Sequence, residues 1–307
     1  MSDSNSLLDS DKINFVAQGE RSIYLFNCSR DALGNFHFPI YSHHADFYGI
    51  VSSSIKYILN DGCVRSIPTM RPVKRQIPIT GYSDRSVLTD EFIITPHCMG
   101  VTIYDFEGIF ILKLGKNYCN PIVSPDGKKI LGWDRNRGGI LIYNIKNNIE
   151  VSLPKGPRPG RGCWLGVSNI MVNCCRSDDS IFDIYDLDGK FVKYFAIGCY
   201  SDFNVCSFSG NVIVFTNLEG DIFIAEDVLG QEKIRKFSYF KEIHGGVGNL
   251  SLSADGSILA ATVTLDHRSN LYFMETKTFN IIKIIEMKEG LVSFSFDQTY
   301  ASNPSST

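Results

Sequence analysis

Short apolar runs that close on an acidic or amide residue recur along this chain. The clearest are Ser22-Ile23-Tyr24-Leu25-Phe26-Asn27, Val101-Thr102-Ile103-Tyr104-Asp105, Ile140-Leu141-Ile142-Tyr143-Asn144 and Phe182-Asp183-Ile184-Tyr185-Asp186. Weaker copies end at Glu226 and Glu275. From Asp105 onward the closing residues are 39, 42, 40 and 49 positions apart, and the 78 positions from Asn27 to Asp105 hold two periods with a faint copy between them. The runs are short and rich in β-branched and aromatic side chains, so they predict strands.

The fourth copy shows the whole unit. Residues 119–124 predict a first strand, and Pro125-Asp126-Gly127 a turn in which proline presets φ and glycine permits a positive φ. Second, third and fourth strands are predicted over 129–133, 140–145 and 149–153. The same order fits 162–197, 203–240 and 247–286, where Ser253-Ala254-Asp255-Gly256 repeats the first turn. It also fits 86–114 and, more faintly, 47–79, where Pro68, Pro72 and Pro78 restrict the outer strands to a free edge. A repeat of roughly 40–45 residues built from short strands is the signature of a β-propeller blade. Residues 13–40 supply only three strands, whereas 290–297 resemble a first strand with nothing after it. The expectation is therefore an all-β, seven-bladed β-propeller of four-stranded antiparallel blades, its ring closed by the C-terminal strand (about 290–297) joining the N-terminal blade. It forms one domain over 13–297, with 1–12 and 298–307 expected as disordered tails. A six-bladed ring with a large insertion at 47–79 is the competing architecture.

Composition narrows the setting. At 307 residues and 44% hydrophobic the chain can bury a sizeable core, and a net charge of −3 gives no global field for nucleic acid or membrane. No apolar run reaches the roughly 18 residues of a membrane helix, and the polar, acidic start lacks the features of a signal peptide. Nine cysteines without regular spacing read as reduced, buried thiols, so the expected location is cytoplasmic.

The turns and the Tyr104-Asp105, Tyr143-Asn144 and Tyr185-Asp186 strand ends resemble the WD40 family and related propellers with Ser-Pro-Asp-Gly turns. In WD40 repeats the third strand closes on Trp-Asp. The Gly-His dipeptide of those repeats is missing here, and Trp133-Asp134 falls at the end of a second strand instead. The resemblance covers about 13–297 and implies the fold; one fold hosts many activities.

Candidate chemistry is sparse. The sequence lacks a Gly-x-Ser-x-Gly elbow, His-Glu-x-x-His, a phosphate-binding Gly-x-x-x-x-Gly-Lys and a Cys-x-x-Cys pair. The Asp-Gly turns and Tyr-Asp ends are read as turn chemistry, with the carboxylate capping nearby amides. His43-His44-Ala45-Asp46 reads as a polar loop between blades, and Arg71-Pro72-Val73-Lys74-Arg75 as a connection on the face opposite the main basic set. That main set is Arg135 and Arg137 in one second-to-third-strand connection, Lys155, Arg158 and Arg161 in the next inter-blade connection, and Arg176 in the following second-to-third-strand connection. Such connections share one face of a propeller, and arginine gives planar, bidentate donors suited to carboxylate or phosphate. This makes the chain a non-enzymatic scaffold or adaptor for an acidic or phosphorylated protein, with Trp164, read as an apolar loop residue, adding packing, and with no cofactor. Membrane is not expected, since the Phe-Arg-Arg-Gly signature of phosphoinositide-binding propellers is missing, and neither is nucleic acid. The alternative is a metal-dependent hydrolase or lactonase-like enzyme holding a divalent cation in the central channel. Its oxygen ligands would come from Asp46, Asp84, Asn120, Asp202, Asn204, Asn249 and Glu289 at the starts of inner strands. Under that alternative, calcium raises the melting temperature and a chelator lowers it again, because a folded-state ligand stabilises by linkage; no shift with any divalent ion counts against it.

Overall fold

The computed structural model describes residues 12–19, 22–30, 36–37, 40–44, 50–51, 57–60, 63–66, 72–74, 86–97, 99–118, 121–134, 139–153, 162–173, 181–196, 203–206, 210–217, 219–242, 246–265, 268–287 and 291–296. Among these the strands pair into seven antiparallel sheets, and helix is confined to Tyr239–Glu242 and a 3-10 turn at Lys116–Tyr118. The third sheet takes Val87–Leu88, Phe92–His97, Gly100–Asp105 and Phe110–Leu114, in that order from one edge to the other. The fourth takes Ile122–Val123, Lys129–Asp134, Gly139–Asn144 and Ile149–Ser152; the fifth Gly162–Leu165, Asn169–Asn173, Ile181–Asp186 and Phe191–Ala196. The sixth takes Phe203–Cys206, Val212–Thr216, Ile222–Glu226 and Lys233–Phe237, and the seventh Gly246–Leu252, Ile258–Leu265, Arg268–Glu275 and Ile281–Glu286.

The second sheet is built from Ile50–Val51, Tyr57–Asn60, Cys63–Ser66 and Pro72–Lys74. Pro72 opens its outer strand, where a missing N–H costs no ladder bond, so part of the basic run expected as a connection is itself a strand. In the first sheet Ser22–Arg30 pairs with Lys12–Gly19 on one side and with Phe36–His37 and Ile40–His44 on the other. His43 and His44 therefore belong to a strand, opposite Ile23 and Ser22, rather than to a polar loop. Leu291–Phe296 runs antiparallel along Lys12–Gly19, with Phe296 opposite Phe15 and Phe294 opposite Ala17.

The central strands are apolar on both faces, and alternation divides those faces between two neighbours. In the fifth sheet Trp164, Ile170, Val172 and Tyr185 pack with Leu131, Ile140 and Ile142 of the fourth. Their neighbours in sequence, Leu165, Met171 and Ile184, point the other way with Phe182 and pack with Ile213 and Phe215 of the sixth. Equivalent layers join the third to the fourth sheet, the sixth to the seventh, and the seventh to Phe15 and Ala17 of the first. The core is thus a series of inter-sheet layers. Two of them are centred on aromatic pairs, Phe182–Phe215 at 5.0 Å and Phe15–Phe273 at 4.9 Å. Truncating one such phenylalanine to alanine costs about 3–5 kcal/mol.

The repeated turns work as their residue types require. Ser124 Oγ donates to Asp126 Oδ1 at 2.5 Å and accepts from the Lys129 amide at 2.9 Å, while Gly127 sits at φ 71°. Ser253, Asp255 and Gly256 repeat this, with the Ile258 amide donating to Ser253 Oγ at 2.9 Å. At the strand ends Asp105 Oδ1 accepts from the Ile109 amide at 2.8 Å, and Asp186 Oδ1 from the Lys190 amide at 2.8 Å. A closer fit occurs in the fourth sheet. The buried Tyr118 ring lies over Gly132, held there by its hydroxyl, which donates to Glu150 Oε2 at 2.7 Å. A Cβ on Gly132 would meet that ring at 2.4 Å, whereas one on Gly115 would meet nothing within 4 Å. Gly132→Ala should therefore destabilise the protein by about 1–3 kcal/mol. Gly115→Ala should stabilise it by about 0.4–1 kcal/mol through the unfolded chain. Denaturant titration of the two variants checks the opposite signs.

Candidate functional site

The six cations read from the sequence, Arg135, Arg137, Lys155, Arg158, Arg161 and Arg176, lie outside the described residues. The strands that bracket them do not. Asp134 is paired with Gly139, so the 135–138 connection joins the second and third strands at one end of the fourth sheet. Leu153 donates its amide to Ile140 O at 2.8 Å, so the outer strand leaves the sheet at that same end. The chain enters the fifth sheet at Gly162, opposite Val172, and the pair Asn173–Phe182 closes that end around the 174–180 connection. The antiparallel registers thus bring the ends of all three connections to the corresponding end of two neighbouring sheets.

Trp164 is not available as a packing residue on that face. It sits in Gly162–Leu165, is buried in the layer between the fourth and fifth sheets, and donates its indole N–H to Ile122 O at 2.9 Å. Tryptophan in a glycine- and proline-rich neighbourhood suggested a loop; the large ring is instead used to join two sheets.

Of the oxygen ligands considered for a cation, Asp46, Asp84, Asn120, Asp202 and Glu289 also lie outside the described residues. Asn204 is on the first strand of the sixth sheet, opposite Phe215. Asn249 is exposed on the first strand of the seventh, at a bulge where Gly248 and Asn249 together oppose Thr262. A Cβ on Gly248 would lie 2.7 Å from Thr262 Oγ1, so that hydroxyl would have to turn away to admit one. Among the described residues no three His, Cys, Asp or Glu side chains are grouped to hold a metal ion.

A polar constellation that the sequence reading missed lies at the second-to-third-strand turn of the sixth sheet. Asn217 Oδ1 accepts from the amides of Glu219 and Asp221 at 3.1 and 2.9 Å, and its Nδ2 donates to Asp221 Oδ2 at 3.0 Å. Lys236 Nζ reaches the same Oδ2 at 2.9 Å from the outer strand and lies over the Phe223 ring. The Asp221 side chain is only 1% exposed, and its Oδ1 is buried without a hydrogen bond. Burial pushes this carboxyl up, but the hydrogen bonds from Lys236, Ser238 and Asn217 outweigh it and hold the group below its ordinary value. The only sequence signal was an Asn-x-x-Gly-Asp turn, which composition does not distinguish from any solvated loop.

Comparison with solved structures identifies the architecture. The chain is similar to Hsv2 from Kluyvelomyces marxianus, with a TM-score of 0.60 at 12% identity over 91% of this chain and 93% of that one. It is similar to the β-propeller domain of Cps50 (Swd1) from Myceliophteria thermophila, with a TM-score of 0.56 at 13% identity over 79% and 87%. The fold is that of a β-propeller. A third similar structure is the dihydro-heme d1 dehydrogenase NirN in complex with DHE, with a TM-score of 0.55 at 13% identity over 98% of this chain and 78% of that one. No protein-family model and no curated protein matches the sequence. Identities this low establish the fold and nothing about activity.

In a propeller the sheets are blades, and one position on the outer strand links successive blades. Val151 of blade four lies against Gly189 in the last turn of blade five. Lys193 of blade five reaches Gly230 O at 3.2 Å and Glu232 Oε2 at 2.5 Å in the last turn of blade six. Arg235 of blade six donates to Thr276 O at 2.7 Å and Lys277 O at 2.6 Å in blade seven, and stacks over Phe279. The Asp221 constellation is the charged counterpart within a blade. Its folded carboxyl is depressed, so its contribution is present above the ordinary carboxylate range near about 3.9 and is lost as pH falls through the lower folded value. Asp221→Asn should cost about 1–3 kcal/mol at neutral pH. Thermal melts against pH should show that deficit shrinking as pH is taken below the carboxylate range, where the wild type loses the same interaction.

Proposed function

We propose that this chain is a closed, seven-bladed propeller that acts as a non-enzymatic protein-interaction scaffold. In this reading its partner carries an acidic or phosphorylated segment and docks on the face bearing the second-to-third-strand and inter-blade connections of blades four and five. The observation that carries it is the register described above, because three connections rich in arginine open at corresponding ends of two adjacent blades. Six cations in that sector contrast with a chain whose net charge is −3. Arginine pairs with carboxylate or phosphate through charge-assisted, bidentate hydrogen bonds, and steering by such a sector raises the association rate.

Closure of the ring is supported by the pairing of Leu291–Phe296 with Lys12–Gly19. It is supported further by the side-by-side first strands of blades five, six, seven and one, and of blades two and three. A closed ring has no open blade face, which suits a rigid platform. Nothing in this reading needs a membrane: no helix among the described residues is long and apolar enough to cross one. A cytoplasmic setting fits its unpatterned cysteines.

The double charge reversal Arg158→Glu, Arg161→Glu tests the reading. It should abolish stoichiometric partner capture from native lysate and leave the melting temperature unchanged. Capture that survives the reversal, with the fold intact, sinks the proposal.

A further inference from the structure

Among the described residues, three other than glycine have a positive φ: Asn148 at 56°, Asp227 at 53° and Phe279 at 62°. Asparagine and aspartate visit that conformation readily; for a bulky side chain it is an outlier. Phe279 lies in the turn between the third and fourth strands of blade seven. In the corresponding turns of blades three and five the left-handed position belongs to Gly108 and Gly189, both at φ 81°. The turn of blade four is built like that of blade seven. Ile145 and Thr276 each follow the third strand and donate their amides to Lys128 O at 3.0 Å and Ser257 O at 2.9 Å, and Asn148 and Phe279 each come three residues later. Blade seven therefore carries a phenylalanine where the others carry asparagine or glycine.

The contacts that hold it there come from blade six. The Phe279 ring stacks on Phe237, with centroids 5.1 Å and planes 8° apart, and the guanidinium carbon of Arg235 lies 4.9 Å from the Phe279 centroid. The same guanidinium donates to Thr276 O at 2.7 Å and Lys277 O at 2.6 Å, and is anchored on its own blade by Glu226 Oε1 at 2.9 Å. A residue in a strained conformation persists only where its surroundings over-determine it.

We infer that this turn is a strained latch between blades six and seven. Closed, it is held by Arg235 and Phe237 against the backbone preference of Phe279. Open, Phe279 relaxes to a negative φ, its ring leaves Phe237, and the turn parts from blade six while the strands of blade seven stay paired. Local opening of this kind needs no global unfolding. Its equilibrium sets contacts with blade six against strain within blade seven, so withdrawal of Arg235 alone releases the turn. The neighbouring links lack that opposition: Val151 of blade four meets a turn with Gly189 in the left-handed position, and Lys193 of blade five meets one with Asp227 there.

Amide hydrogen exchange on the full chain tests the latch. The reporting amides are those at 275, which donates to Asn280 O at 3.0 Å, and at 279, which donates to Glu275 O at 2.9 Å. Arg235→Ala should speed exchange at both by roughly tenfold or more, the scale that strain of this kind can supply. Exchange in the blade-four turn and the circular dichroism spectrum should stay as they are. Arg235→Lys keeps the charge but loses the planar fork, and should speed the same two amides by less. Adding Phe279→Asn to Arg235→Ala should slow them again, because asparagine takes the left-handed conformation as Asn148 does. The inference is overturned if neither Arg235 variant speeds exchange at 275 and 279. It is overturned equally if the double variant exchanges as fast as Arg235→Ala or faster, since the ring would then be holding the turn and not straining it.

Discussion

Everything in this structure depends on sheets that are apolar on both faces. A sheet with one wet face can stop at a single packing partner; one whose Ile170 and Met171 point in opposite directions into buried layers needs a partner on each side. Each partner has the same requirement. Twisted sheets that pack face to face are rotated from one to the next, and a series of them either curls back on its start or leaves an apolar face open. The layer of Phe15 and Ala17 against Phe273 and Ala260 shows where the demand of the seventh sheet is met. The N-terminal strand is buried there, and the C-terminal strand lies alongside it, so the two ends of the chain are needed by the same blade.

Because burial is two-sided, the fold was readable from short continuous apolar runs, which a surface strand does not show. The acidic residue that ends each run was readable too, since Asp105 and Asp186 cap the amides of the turn that follows. The same rules misled where one residue type serves two roles. Pro72 and the His43–His44 pair look like loop material, yet an outer strand tolerates proline at its first position, and a strand can hold polar residues as a loop does. Trp164 was misplaced because its neighbours are glycines and prolines, while its own size demands burial against another sheet.

The candidate site was much less legible, for a physical reason. Strand identity is written in periodicity, which any repeat reveals. A polar site is written in the meeting of side chains distant in sequence, and here those meetings run between blades. Lys193 with Glu232 and Arg235 with Thr276 are separated by about one repeat, so no local motif announces them. The Asp221 carboxylate makes the same point inside one blade: its partner Lys236 comes from the neighbouring strand, and only the fold shows that the pair is buried on one side and wet on the other.

These inter-blade contacts also divide the surface into parts with different work. Spending Lys193 and Arg235 on the next blade fixes the relative position of blades five, six and seven. A ligand that touches loops of two blades then meets a surface whose spacing is already set and loses little entropy in ordering it. Lys193 and Arg235 are thus taken up by contacts between blades, while the connections between strands stay free to vary.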